Sequence, residues 1–217
     1  MNLGGIDFSA LLITLTALFL ALSVHESAHA WTADQLGDPT GRSLGRVSLN
    51  PVVHIDPMGT VVFPLLGMFF GGFIFGWAKP VPVNTARLKN PRKDHLVIAA
   101  AGPVSNIALA VVCLAGLKII TLSMDPLSIQ EHALVYPVFL MCQTGLFLNV
   151  ILAVFNLLPV PPLDGSWILA GVLPSHLAAA LDRIRPYSFI LLIVLLLSGV
   201  FGMILNPILL FVTRLAL

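Results

Sequence analysis

The chain has 217 residues and a formal net charge of +1; 58% of its residues are hydrophobic, only 10% are charged, and its mean hydropathy is +0.98. A soluble domain carries about 25% charged residues, so the composition excludes an ordinary soluble fold and makes the chain an integral membrane protein with the lipid bilayer as its surroundings. No basic tail or Lys/Arg cluster is present, which removes nucleic acid from the expected partners.

Five apolar stretches are legible, at about 8–36, 59–78, 95–123, 134–158 and 187–213. The first opens FSALLITLTALFLALSV with no basic residue ahead of it, so it is expected to be a first transmembrane helix rather than a cleaved signal peptide. Its helical pattern continues through His25-Glu26-Ser27-Ala28-His29. Two histidines four apart lie on one face of a helix, so both imidazoles reach one ion, and Glu26 is placed to take a proton from water activated by that ion. Each charge buried at membrane depth costs about 2–4 kcal/mol, so these groups must face a protein interior or a wet cavity. An intramembrane metal site is the expectation.

Beyond it, Gly45–Asn50 (GRVSLN) and Lys79–Asn84 (KPVPVN) read as short β pieces. Between them, His54 and Asp56 lie in NPVVHIDP. They either join the cavity as support for the metal or belong to a turn pinned by Pro51 and Pro57. The second stretch, 59–78, is rich in glycine and broken by Pro64, which suits a re-entrant or kinked segment better than a straight helix. If it dips in and returns, nine of the eleven Lys and Arg fall on one side: Arg42, Arg46, Lys79, Arg87, Lys89, Arg92, Lys93, Arg183 and Arg185. If it spans, the split is seven against four. The first arrangement obeys the positive-inside rule better and puts the β pieces and the HESAH end of the first helix toward the cytoplasm.

The third stretch contains AAAGPVSN at 99–106, and the fourth ends in NLLPVPPLDG at 156–165. A catalytic zinc needs three protein ligands and an open position. Of the remaining acids only Asp164 is embedded in long apolar sequence, after Pro159, Pro161 and Pro162 break the helix. An Asp-Gly step is by default a turn former or a helix cap. At membrane depth, beside broken backbone, an acid turns toward a cation or a wet cavity. Cys113 and Cys142 read as small core residues with no disulfide. His95, His132 and His176 lie near segment ends and receive no role, and Trp31, Trp77 and Trp167 fit interfacial or packing positions.

HESAH in a first membrane helix, AAAGPVSN and NLLPVPPLDG together resemble the site-2 protease family of intramembrane zinc metalloproteases, in a compact prokaryotic form without a PDZ or CBS module. The resemblance covers about residues 20–170. It implies one zinc held by His25, His29 and Asp164, with Glu26 as catalytic acid/base and Asn156 as donor to the substrate carbonyl or oxyanion. Gly102, Pro103 and Asn106 match the family's central-helix motif, with helix packing or substrate contact as their role. The reaction implied is hydrolysis of peptide bonds within or near transmembrane segments of membrane-protein substrates, in a prokaryotic cytoplasmic membrane. A β edge at 45–50 or 79–84 would hold the unwound substrate by strand addition. Two rivals keep the same site for another purpose: a metal transporter, which gives Glu26 no special duty, and a non-catalytic membrane binding protein, which would tolerate loss of ligands, whereas all four key residues are present here. The expected architecture is one domain, 1–217, an all-α polytopic membrane protein with four full transmembrane helices, a re-entrant or fifth segment, and short β pieces at the cytoplasmic face. Oligomeric state is not legible.

Overall fold

A computed structural model describes residues 2–3, 6–62 and 77–216. Phe8–Gln35 forms α1, Thr40–Ser43 α2, Pro91–Ser123 α3, Pro126–Glu131 α4, Val135–Asn156 α5, Asp164–Val172 α6, Ser175–Ile184 α7, Ser188–Leu197 α8 and Val200–Ala216 α9. Three of these, α1, α3 and α5, are each long and apolar enough to cross a membrane. Helix α3 is central and packs on α1, α5 and α6.

The α1–α3 seam follows from side-chain size. Ala17, Ala21, His25, His29 and Ala33 recur every fourth residue, all are buried, and so they form one stripe along α1. Small residues allow two helix backbones to approach closely within lipid. The histidines fit the same stripe because α3 presents Gly102 opposite them. Hydroxyls within α1 return to their own helix, Thr14 to Ala10 O at 2.8 Å and Thr16 to Leu12 O at 2.7 Å. Across the α3–α5 seam, Cys113 Sγ sits over Gly145 and Cys142 Sγ over Gly116, a reciprocal fit of small residues.

Two expectations change. The stretch 187–213 is not one helix: α8 and α9 meet at a 59° bend across Ser198 and Gly199, where Gly199 has φ +75°. That left-handed residue ends α8 and redirects the chain. Among the described residues the helix count for spanning is therefore three, or four if the bent pair crosses as one broken span.

The β pieces at 45–50 and 79–84 do not form. Among the described residues the only ladder pairs Asn2–Leu3 with Ile6–Asp7. In KPVPVN the prolines lack N–H donors. The Lys79 and Pro80 carbonyls are taken by the Arg46 guanidinium, which also donates to Val53 O. The segment is an irregular strap instead, also pinned at Asn84 N by Asp38 Oδ2 (2.6 Å). Burial alone would raise the Asp38 carboxyl, but the Thr40 hydroxyl and the Asn84 and Thr40 amides hold it below the usual carboxylate range.

Most of the stretch 59–78, expected as a re-entrant or kinked segment, lies outside the described residues (63–76). Its two ends are described. Trp77 N donates to Gly59 O at 3.1 Å, and Lys79 N donates to His54 O at 2.9 Å. The segment starts and finishes at one place.

Candidate metal and catalytic centre

Three acceptor atoms converge where α1, α3 and α6 meet. His25 Nε2 and His29 Nε2 are 3.0 Å apart, and Asp164 Oδ2 lies 3.2 Å from the first and 3.4 Å from the second. The imidazoles stand edge to face, with an interplanar angle of 85°. Each Nδ1 meets an acceptor that cannot donate in return. His25 Nδ1 donates to Asn106 Oδ1 and His29 Nδ1 to Ile98 O, both at 2.7 Å. The hydrogens therefore sit on Nδ1 and leave both Nε2 lone pairs bare. Asp164 Oδ2 is buried with no hydrogen-bond partner.

Three bare acceptors so close repel one another unless a cation lies among them. A tetrahedral ion with bonds of about 2.0–2.1 Å spaces its ligand atoms about 3.3 Å apart, close to the triangle present here. The residues fit a zinc ion, and His25, His29 and Asp164 form the only group of at least three such ligands found among the described residues.

Local sequence explains the placement of Asp164. The loop after α5 folds back through Val160 N to Leu158 O (2.8 Å) and Leu163 N to Val160 O (3.0 Å). Helix α6 then starts at Asp164 with Leu163 as its N-cap and no side-chain cap bond, so the aspartate is not spent on capping. Gly165 is required: a Cβ there would lie 2.3 Å from Leu157 O and 2.4 Å from Leu158 O.

A cavity of about 520 Å³ opens beside the triad, bordered among others by Glu26, Val81, His95, Asn156, Trp167 and Phe189. Glu26 Oε2 accepts from Val81 N at 3.2 Å, so the strap holds one carboxylate oxygen. Asn156 closes α5 with one amide N–H on Leu152 O at 3.0 Å. Its second N–H makes no hydrogen bond among the described residues.

The expected residues thus separate into two groups. His25, Glu26, His29, Asp164 and Asn156 come together at the cavity, and Gly102, Pro103 and Asn106 are buried behind it. His54 and Asp56 do not border the cavity. His54 Nε2 donates to Ser48 O at 2.8 Å, and Asp56 Oδ1 accepts from Met58 N and Gly59 N, so both pin the turn before the second apolar stretch.

Several contributors were missed from sequence. His95 stacks on Trp167 with centroids 4.2 Å apart, and both border the cavity; Arg185 covers the Trp167 ring at 3.3 Å. Val81 was missed because it acts through its backbone N–H, and Arg46 because its guanidinium is spent on backbone carbonyls; backbone partners carry no sequence signal. Asn149 was also missed, although an amide in mid-span of an otherwise apolar helix was a visible signal.

Comparison with known proteins matches the model described as Peptidase family M50 to residues 13–135 and 118–199. A Bacillus subtilis protein named "Putative zinc metalloprotease YwhC" is 36% identical over 200 residues, covering 88% of this chain and 83% of the relative. A Mycolicibacterium smegmatis protein named "Putative zinc metalloprotease Rip2" is 30% identical over 190 residues, covering 86% of this chain and 67% of the relative. The Rip2 of Mycobacterium tuberculosis H37Rv is 30% identical over 186 residues, with 86% and 67% covered. No solved structure matches the chain.

Proposed function

Because the chain belongs to peptidase family M50, we infer that it is an intramembrane zinc metalloprotease that hydrolyses peptide bonds within or near transmembrane segments of membrane-protein substrates. The observation that carries the site assignment is the triangle of bare acceptors, with spacings of 3.0, 3.2 and 3.4 Å, inside a membrane helix bundle. His25, His29 and Asp164 would hold one zinc per chain. When bound, zinc supplies Lewis-acid polarisation of a carbonyl and lowers the pKa of water to about 7.

The chain's own residues do the rest. Glu26, steadied through Val81 N–H, takes the proton of the attacking water and returns it to the leaving amine. Asn156 donates its second N–H to the substrate carbonyl as negative charge develops there. The apolar walls from Leu152, Phe155 and Phe189 shelter an unwound stretch of substrate from lipid. The transport reading gives Glu26 no task, and family membership does not favour it.

Glu26 positioning has a clean test. Val81 is flanked by Pro80 and Pro82, and a residue before proline is already restricted to extended backbone. Val81→Pro therefore removes one donor with little change of path. A hydrogen bond to a charged group is worth about 1.5–3 kcal/mol, so kcat is expected to fall roughly 10- to 100-fold. Val81→Ala, which keeps the N–H, should remain within about twofold; equal losses in both variants would show that the contact does not matter.

The active site faces the cytoplasm in the arrangement we propose. Support comes from nine of eleven Lys and Arg falling on one side and from the bond joining Gly59 to Trp77. Single cysteines at Ser43 and Thr85, introduced into a chain lacking Cys113 and Cys142, are expected to react with a membrane-impermeant thiol reagent from the cytoplasmic side only. Reaction from opposite sides would refute this topology.

A further inference from the structure

One buried polar side chain has no part in the reaction as described. Asn149 lies in the middle of α5 and is 1% exposed. Its neighbours fix its orientation without ambiguity. Asn149 Nδ2 donates to Gly145 O at 2.8 Å, and a carbonyl can only accept. Asn149 Oδ1 is therefore turned to α3, where it accepts from Asn106 Nδ2 at 2.8 Å. The other hydrogen of that amide goes to Ala21 O of α1 at 3.2 Å. With both N–H groups engaged, Asn106 Oδ1 can point only to His25 Nδ1, 2.7 Å away. Asn106 itself is 0% exposed, so no water competes for these bonds.

We propose that Asn149 is a positioning residue for the metal centre, acting through Asn106 to fix the orientation of the His25 imidazole and to keep its hydrogen on Nδ1. The proposal rests on the assignment of His25 as a metal ligand. An imidazole bound through Nε2 must keep its hydrogen on Nδ1, and its ring plane must aim the lone pair at the ion. Asn106 does this directly, but an amide can flip, and a flipped Asn106 would turn N–H toward Nδ1. Ala21 O resists the flip with one bond and Asn149 Oδ1 with a second. A flip would also leave Asn149 Oδ1 facing Asn106 Oδ1, two acceptors in a dry seam. The relay thus joins helices α1, α3 and α5 at the level of the first ligand. A purely structural role, polar adhesion between α3 and α5, would affect stability alone.

Zinc affinity separates the two. The full chain in detergent would be stripped of metal and titrated with zinc against a chromophoric chelator. The visible spectrum of the cobalt-loaded form and the melting temperature of the stripped form would be recorded alongside. Loss of a residue that orients a metal ligand commonly costs 10- to 100-fold in affinity. Asn149 stands one step further back and shares its task with Ala21 O, so Asn149→Leu is expected to bind zinc about tenfold more weakly, with altered cobalt bands. Asn149→Asp in its neutral acid form keeps the geometry, one oxygen accepting from Asn106 and the O–H donating to Gly145 O, and should stay within about twofold of wild type. If the leucine chain does not fold, Asn149→Ser removes the same acceptor, because its shorter hydroxyl returns to the Gly145 carbonyl. The same tenfold loss is expected.

Affinity and cobalt spectrum unchanged in Asn149→Leu or Asn149→Ser overturn the proposal, even where the melting temperature falls. Equal weakening by leucine and aspartate overturns the hydrogen-bond route. A wild-type chain that binds no zinc overturns the metal centre itself, and this relay with it; zinc binding by the wild type with no effect of the variants overturns the relay alone.

Discussion

Gly102→Ala is expected to abolish zinc binding and proteolysis together, by adding a single methyl group. In an ordinary helix interior this exchange is favourable by about 0.5–1 kcal/mol, because glycine is the weaker helix former. Here the added Cβ would stand 2.4 Å from His29 Nε2, 2.5 Å from His25 Cε1 and 2.6 Å from His25 Nε2. Those are the atoms whose lone pairs converge on the proposed ion. The imidazoles cannot swing aside without releasing Nδ1 from Asn106 and Ile98, and the methyl belongs to the backbone of α3, so it cannot rotate away. Zinc measured on purified protein should fall below about a tenth of the wild-type content, with cleavage at background. Gly202→Ala is the control: its Cβ meets nothing within 4 Å, so zinc content and activity should be unchanged. Full zinc in Gly102→Ala would mean that the ion does not sit between these rings.

Glu26→Gln has the opposite profile. The glutamine is nearly isosteric, still accepts from Val81 N–H through its carbonyl oxygen, and leaves His25, His29 and Asp164 untouched. Zinc content should remain that of the wild type. Removal of a general acid/base costs typically 10²–10⁴ in rate, so kcat should fall by about that factor on a transmembrane substrate with helix-breaking residues near the cut. Metal content and kcat in the two variants together separate the holder of the ion from the mover of the proton. A Glu26→Gln protein that cleaves at the wild-type rate would remove Glu26 as the acid/base and send that role to another group; zinc binding by the wild type with no cleavage by either protein would favour the transport and binding readings.

The part of the site legible in sequence was the part written in local spacing. His25 and His29 declare themselves by one helical turn, and Asp164 by its isolation among apolar residues after broken backbone. Their convergence was supplied by resemblance, since Asp164 lies 135 positions after His29 and no periodicity crosses that distance. What escaped was set by partners rather than by residue type. Val47 and Val83 sit in segments with good strand composition, yet the prolines of KPVPVN withhold donors and Arg46 claims the carbonyls, so no ladder forms. The bend at Gly199 hides in a run as apolar as any straight span, because a glycine reads as a break only where its φ is known. Trp167, which fitted a packing position from sequence, does pack, but on His95 and Arg185 at the edge of the cavity beside the triad.

The distance along the chain between the histidines and the aspartate also has a meaning in time. Helix α1 leaves the ribosome first and enters the membrane with two bare imidazole nitrogens, but Asp164 follows only after α3 and α5 have been made. At about 5–20 residues per second, that interval is on the order of 7–27 s. During it the nascent chain holds an incomplete set of the proposed ligands, with neither Asp164 nor the α5 end of the cavity wall. Until Asp164 is made, the order of the elements along the chain keeps the proposed centre incomplete.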